Sequence, residues 1–118
     1  MHGRRLSGLI GEHRAAAFLT QQGYTVLAQN WRAGRTGELD LVAHTADGGV
    51  LVFVEVKARS TVEMALAAVD PRKQRQLIKL AQRYVADQPQ WRDAPWRFDV
   101  LAVTPEEIYH VPSAFEGW

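Results

Sequence analysis

Three carboxylates and an ammonium stand at Glu38, Asp40, Glu55 and Lys57, with fourteen residues between Asp40 and Glu55. Residues 38–45 and 50–58 are rich in Leu, Val and Phe and flank Ala46-Asp47-Gly48-Gly49, the pattern of two strands joined by a tight turn. Directly opposed residues of a hairpin have numbers that add to a constant. A two-residue loop at Asp47-Gly48 and a four-residue loop over 46–49 both give 95. Asp40 then lies opposite Glu55, and Glu38 opposite Lys57. Alternation puts these four on one face with Val42 and Phe53, while Leu39, Leu41, Ala43, Val52, Val54 and Val56 line the other.

Opposed carboxylates bring their Cβ atoms within roughly 4.5–5.5 Å and repel unless a positive group sits between them. A hard divalent cation, Mg²⁺ or Mn²⁺, suits oxygen donors from Glu38, Asp40 and Glu55 and still accepts water and a phosphate oxygen. Such an ion activates water and neutralises charge on a phosphodiester, with Lys57 orienting the nucleophile or holding the transition state. The competing reading is a cross-strand ladder of ion pairs, Glu38 with Lys57 and Asp40 with Arg59.

The elements that must carry these groups can be read outward from the hairpin. Leu6, Leu9, Ile10 and Ala15 to Leu19 predict a first helix of about four turns, ended by Gly23; residues 24–32 predict a strand from their Tyr, Val and Trp. Asp70-Pro71 caps and opens a second helix running to about Gln88, before Pro89. Residues 96–103 and 108–111 predict two further strands. The order is helix, three-strand meander, helix, two strands. A helix joining the third and fourth strands makes them parallel through a right-handed crossover, giving a mixed α/β sheet flanked by helices.

Composition allows one domain over residues 1–118: 47% of residues are hydrophobic and 23% charged, enough for an ordinary core. With no cysteine, thiolate zinc sites, iron–sulfur clusters and disulfide scaffolds are excluded. No apolar run reaches the roughly 18 residues of a membrane span, and no apolar stretch follows Met1 to Arg5 as in a secretory leader; the expectation is a cytoplasmic protein without a membrane partner. Charge is segregated along the chain. Residues 1–37 carry five arginines against Glu12, residues 38–56 four acids and no base, residues 57–97 nine bases against four acids, and residues 98–118 four acids alone. An acidic spot flanked by basic surface suits a polyanion brought to a metal; on charge alone a solvated mosaic reads equally well.

Asp40 followed by Glu55-Val56-Lys57 resembles the PD-(D/E)xK signature of restriction-endonuclease-like nucleases, with Leu39 at the proline position. More of the chain is similar to the YraN-like family of uncharacterised bacterial proteins, UPF0102. The blocks that carry this are Gly11-Glu12, Gly23-Tyr24, Asn30-Trp31-Arg32, residues 37–42, residues 53–59, Lys73, residues 97–100 and Ala114-Phe115. The segment Thr61-Val62-Glu63-Met64 departs from the Phe-Gly pair usual in those relatives. The superfamily resemblance implies a restriction-endonuclease-like fold, Asp40 and Glu55 as metal ligands and Lys57 as the catalytic lysine. Similarity to archaeal Holliday-junction resolvases implies a catalytic role for Glu12. By its helical neighbours Gly8, Ala15, Ala16 and Leu19, Glu12 rises from a small apolar surface; the alternative for it is a salt bridge to Arg32 or Arg35.

Arg72, Arg75, Lys79 and Arg83 form one stripe of the second helix, opposite Leu77, Leu80, Ala81 and Tyr84, and with Lys73 beside them could follow a phosphate backbone; solvated surface is the plainer reading. Asp99 is expected to bridge Arg97, the four histidines show no ligand spacing, and Trp91, Trp96 and Trp118 are expected to pack. The leading expectation is a metal-dependent endonuclease acting on structured or branched nucleic acid, DNA ahead of RNA, with a homodimer left open. A non-catalytic nucleic-acid-binding module is the alternative, and a protein-interaction adaptor the third.

Overall fold

The computed structural model describes residues 2–117, with side chains described over 11–117. The side chains of His2, Leu6, Leu9 and Ile10, and all of Trp118, lie outside the described residues. The chain runs α1 (His2–Gln21), β1 (Thr25–Arg32), β2 (Glu38–His44), β3 (Leu51–Ala58), α2 (Val62–Ala67), α3 (Pro71–Asp87), a single 3-10 turn (Pro89–Trp91), β4 (Trp96–Val103) and β5 (Ile108–Phe115). One five-stranded sheet has the order β1-β2-β3-β4-β5. All neighbours are antiparallel except β3 and β4, which run parallel as the intervening helices require.

Local chemistry sets the ends of these elements. Gly23, at φ +95°, closes α1 as its N–H donates to the Thr20 carbonyl at 3.1 Å, and Tyr24 turns back to Leu19 at 3.0 Å. The Asp70 carboxylate accepts the Lys73 N–H at 2.9 Å and Pro71 takes the first position of α3, as read from the sequence. The β2–β3 hairpin uses the four-residue loop: Thr45 N–H donates to the Val50 carbonyl at 3.0 Å, and Gly48 turns at φ +73°. Three features differ from expectation. α2 is an added short helix capped by Thr61, whose hydroxyl accepts from the Met64 N–H at 3.1 Å. α1 begins earlier than expected. β5 continues past Val111 through Pro112 to Phe115, with Ser113 at φ +50° in a bulge opposite Asp99.

Each face of the sheet packs on a helix. Ala15 and Leu19 of α1 meet Leu41, Val52, Val54, Val56, Leu101 and Val103. Leu77, Leu80, Ala81 and Tyr84 of α3 meet Leu39, Val42, Phe53, Phe98 and Val100 on the other side. Phe53 lies 5.5 Å from Phe98 and 5.4 Å from Trp96, so this second face is an aromatic core. Cutting Phe53 or Leu80 back to alanine would cost roughly 2–5 kcal/mol.

The register is as expected where it is paired: Leu41↔Val54, Val42↔Phe53, Ala43↔Val52 and His44↔Leu51. The face assignment needs a correction. Leu39 packs with Val42, Phe53 and α3, while Leu41, two residues on, packs with α1. Residues two apart share a face in a regular strand, so alternation breaks between Leu39 and Leu41, and Asp40 occupies the break. Its Oδ2 accepts the main-chain N–H of Val56 at 2.9 Å. A side-chain acceptor thereby serves a strand donor where the paired register ends.

Candidate metal centre

Because of that break, the four residues do not share one face with Val42 and Phe53. Glu38 and Asp40 turn to meet Glu12 of α1, and one carboxylate oxygen from each of the three lies within 4.8 Å of the others. Glu55 stays with the α3 side. Its Oε2 is 3.4 Å from Lys57 Nζ and 3.4 Å from Lys73 Nζ, the latter brought by the first turn of α3. Asp40, at the seam, faces both groups: its carboxyl interacts with Glu55 and with Glu12. Neither rung of the expected ion-pair ladder is formed, since Glu38 pairs with Arg32 at 3.2 Å on β1 and Lys57 with Glu55 on its own strand.

The electrostatics are strained toward negative charge. Burial first, then the Glu55 charge, push Asp40 up to about 8, against the opposing pull of the Val56 N–H. Glu12 is also raised, by burial and then by Glu38, although a hydrogen bond from Asn30 opposes this. Glu55 is only 3% exposed, and its Oε1 is buried without any fixed donor. A proton on Asp40 supplies one only while that carboxyl is neutral. A buried acceptor left bare costs about 1–3 kcal/mol, more when charged, so the pocket asks for a proton or a cation.

The donor set fits a hard divalent ion: all oxygen, mostly carboxylate, partly buried. Octahedral Mg²⁺ with bonds of roughly 2.1 Å holds adjacent ligands about 3.0 Å apart, so the Glu12, Glu38 and Asp40 oxygens, within 4.8 Å of one another, draw together by up to about 1.8 Å to share one ion. Among the described residues no soft donor joins the three carboxylates to favour another metal.

Two contributors were not legible as such. Asn30, with its amide turned to donate, reaches both Glu12 oxygens at 3.1 and 3.2 Å, where the alternative reading places Arg32 or Arg35. It holds φ +53° within β1, a left-handed conformation that asparagine tolerates better than most side chains. Lys73, read as part of the nucleic-acid-binding set, is turned inward onto Glu55 instead. Gln76 fastens α3 to the start of β2 by donating to the Thr36 carbonyl at 2.7 Å, and Gly37 at φ +126° keeps that approach clear. Arg72, Arg75 and Lys79 are exposed as expected, and Arg83, also exposed, pairs with Asp87 at 3.5 Å.

Away from the carboxylates, Arg97 grips buried Asp99 with two bonds of 2.9 and 3.0 Å, as anticipated. His110 adds a 2.7 Å bond and the Ser113 N–H another at 2.9 Å. Trp91 lies 5.6 Å from His44, and Trp96 packs on Phe53, as expected of packing groups.

Fold and site together define a mixed α/β protein with a carboxylate cluster where two central strands part. The family model described as "Uncharacterised protein family UPF0102" matches residues 11–103, and the chain belongs to that family. A UPF0102 protein of Acidiphilium cryptum (strain JF-5) is 43% identical over 110 residues, covering 93% of this chain and 84% of the relative. One from Lachnoclostridium phytofermentans is 39% identical over 117 residues, 98% of this chain and 97% of its own. Among solved structures, that of Pyrococcus furiosus SfsA in complex with Ca²⁺ is 16% identical, with 92% of this chain and 62% of that one covered and a TM-score of 0.36. Among the described residues no helix is long and apolar enough to cross a membrane.

Proposed function

We propose that this protein is a metal-dependent endonuclease that hydrolyses phosphodiester bonds in structured or branched nucleic acid, DNA ahead of RNA, with Mg²⁺ or Mn²⁺ held by Asp40, Glu38, Glu12 and Glu55. The observation that carries the reading is the bare, buried Glu55 Oε1 beside the Asp40 carboxyl, itself raised by burial and then by the Glu55 charge. Four carboxylates at one seam, with the Asp40…Glu55-x-Lys57 spacing, support the superfamily resemblance.

A divalent ion bound there supplies a lowered water pKa and neutralises charge on the phosphate. The protein's own groups do the rest. Lys57 Nζ, 3.4 Å from Glu55, is placed to hold negative charge that develops on the phosphodiester oxygens. Lys73 Nζ lies 3.4 Å from the same Glu55 oxygen and holds that carboxylate from the α3 side. Asn30 orients Glu12 through both oxygens.

Calorimetric titration with Mn²⁺ tests the ion, with Asp40→Asn losing at least tenfold in affinity. Cleavage of branched, flapped and single-stranded substrates tests the chemistry: Glu55→Gln and Lys57→Ala abolish cutting and leave binding in EDTA nearly intact. A wild type that cuts none of a broad panel with either metal, yet binds it in a salt-dependent way, overturns the nuclease reading. The second reading, a binding module without catalysis, then stands on the exposed stripe of Arg72, Arg75 and Lys79.

A further inference from the structure

A cleft of about 500 Å³ opens between α1, the carboxyl end of β3, α2 and the segment after β4, lined by side chains other than the metal cluster. Ala58, Met64, Val103 and Pro105 give it an apolar wall, and Arg14 and Arg59 line it as cations. Among the described residues no carboxylate lines it, and neither arginine forms an ion pair. Each guanidinium is steadied by a main-chain carbonyl: Arg14 donates to Thr104 at 3.2 Å and Arg59 to Ala58 at 2.8 Å. Most of their five N–H donors stay free for another acceptor. Met64 is 52% exposed, an apolar side chain left to water in the wall.

Anchored positive charge beside an apolar wall matches a ligand with phosphate on one side and a flat, weakly hydrated body on the other. The volume lies within the roughly 300–1,000 Å³ of small-molecule sites. A base within a duplex has both faces covered by its neighbours and cannot enter such a cleft; an unstacked one can. Chain connectivity supplies the rest. Gly11 lines the cleft and Glu12 of the carboxylate cluster is the next residue of α1.

We propose that this cleft takes one unpaired nucleotide of the strand held at the metal centre, its base against Met64, Val103 and Pro105 and its phosphates on Arg14 and Arg59. The assignment rests on the nuclease reading for its neighbour, and it narrows the substrate to single strands, flaps and junctions with unpaired bases at the cut.

Binding in EDTA separates the two, because no metal is needed to fill the cleft. Fluorescence anisotropy compares a twelve-residue oligothymidylate with an abasic strand of equal length and charge. Wild type binds the base-bearing strand about five- to tenfold tighter, the lower range of what base contacts supply. Ser60→Trp, at an exposed position lining the cleft, removes that preference while leaving the affinity for the abasic strand. The double variant Arg14→Ala, Arg59→Ala weakens both strands, and both variants bind Mn²⁺ as wild type does. Equal wild-type affinity for the two strands overturns the proposal, as does a preference that survives Ser60→Trp. Displacement of the strand by thymidine monophosphate at matching affinity overturns it in favour of a free-nucleotide site. Absent Mn²⁺ binding with the base preference intact sinks the metal centre and leaves the cleft standing.

Discussion

The Val56 main-chain N–H donates to Asp40 Oδ2 at 2.9 Å, joining β3 to β2 through a side chain just beyond their last paired residues, Leu41 and Val54. That bond fixes one carboxylate oxygen and leaves the other to its acidic neighbours. The candidate site is thus built into the point where the hairpin ceases to be a regular ladder.

Asp40 titrates higher in the fold, at about 8, than the 3.8 of an ordinary aspartate, so protonation favours the folded state. This contribution is complete below about 3.8 and is lost as pH rises through about 8. In chelator, the wild-type Tm therefore falls between about pH 4 and pH 8 and levels off above, whereas Asp40→Asn stays flatter and melts higher at the alkaline end, by roughly 4–8 °C per kcal/mol relieved. Parallel melting curves for the two proteins across that range would refute the Asp40–Glu55 coupling.

Asn30 serves two purposes that substitution can separate. Glycine accepts φ +53° freely but has no amide, so Asn30→Gly keeps its Tm and loses Mn²⁺ affinity as Glu12 is released. Alanine lacks the amide and also resists the left-handed region by about 1–2 kcal/mol. Asn30→Ala is thus expected to melt lower than Asn30→Gly while binding Mn²⁺ as weakly. Full Mn²⁺ affinity in the glycine variant would leave Asn30 a backbone role alone.

Burial alone would raise the Asp99 carboxyl, but hydrogen bonds from His110, Arg97 and the Ser113 N–H outweigh it and hold it below the usual range. Stability from Asp99 is therefore present above about pH 4 and lost as pH falls through its lower folded value. Asp99→Asn should cost about 3–5 kcal/mol at neutral pH by stranding Arg97. Its acid unfolding should then begin from a lower plateau with a shallower slope, read by circular dichroism.

The stripe on α3 is tested by charge reversal, Arg75→Glu with Lys79→Glu. If these side chains meet phosphates, affinity falls alike for all sequences, and the log–log salt slope loses roughly 0.7–0.9 per contact. Unchanged affinity returns the stripe to solvated surface.

What the sequence made legible follows from how local each cause is. Asp70-Pro71, the Gly48 turn and the β3–β4 crossover act over a few residues or by general rules of connection, and each element they specify is present. α2 has six residues, too few to show a period, and only Thr61 as a hydroxyl N-cap marks its start. The tail of β5 was hidden because Pro112 argues against a strand. The acidic residues of the site could be named, but not their faces, since the side-chain bond from Asp40 to Val56 that breaks alternation spans sixteen positions and leaves no trace in spacing. The role of Asn30 was hidden for a similar reason: its partner Glu12 lies on another element.

Pro112 and Ser113 have a consequence for how copies of this chain can meet. β5 is one border of the sheet, and a border strand is a template on which a second molecule can continue the ladder. Here the template is interrupted: Pro112 has no N–H, Ser113 leaves the extended region, and the Ser113 N–H is spent on Asp99. Only Ile108–Val111 remains as an uninterrupted stretch, half the strand. Growth of the sheet from one molecule to the next is therefore confined along that border to a stretch of four residues, a short template for the strand-by-strand stacking that leads to fibres.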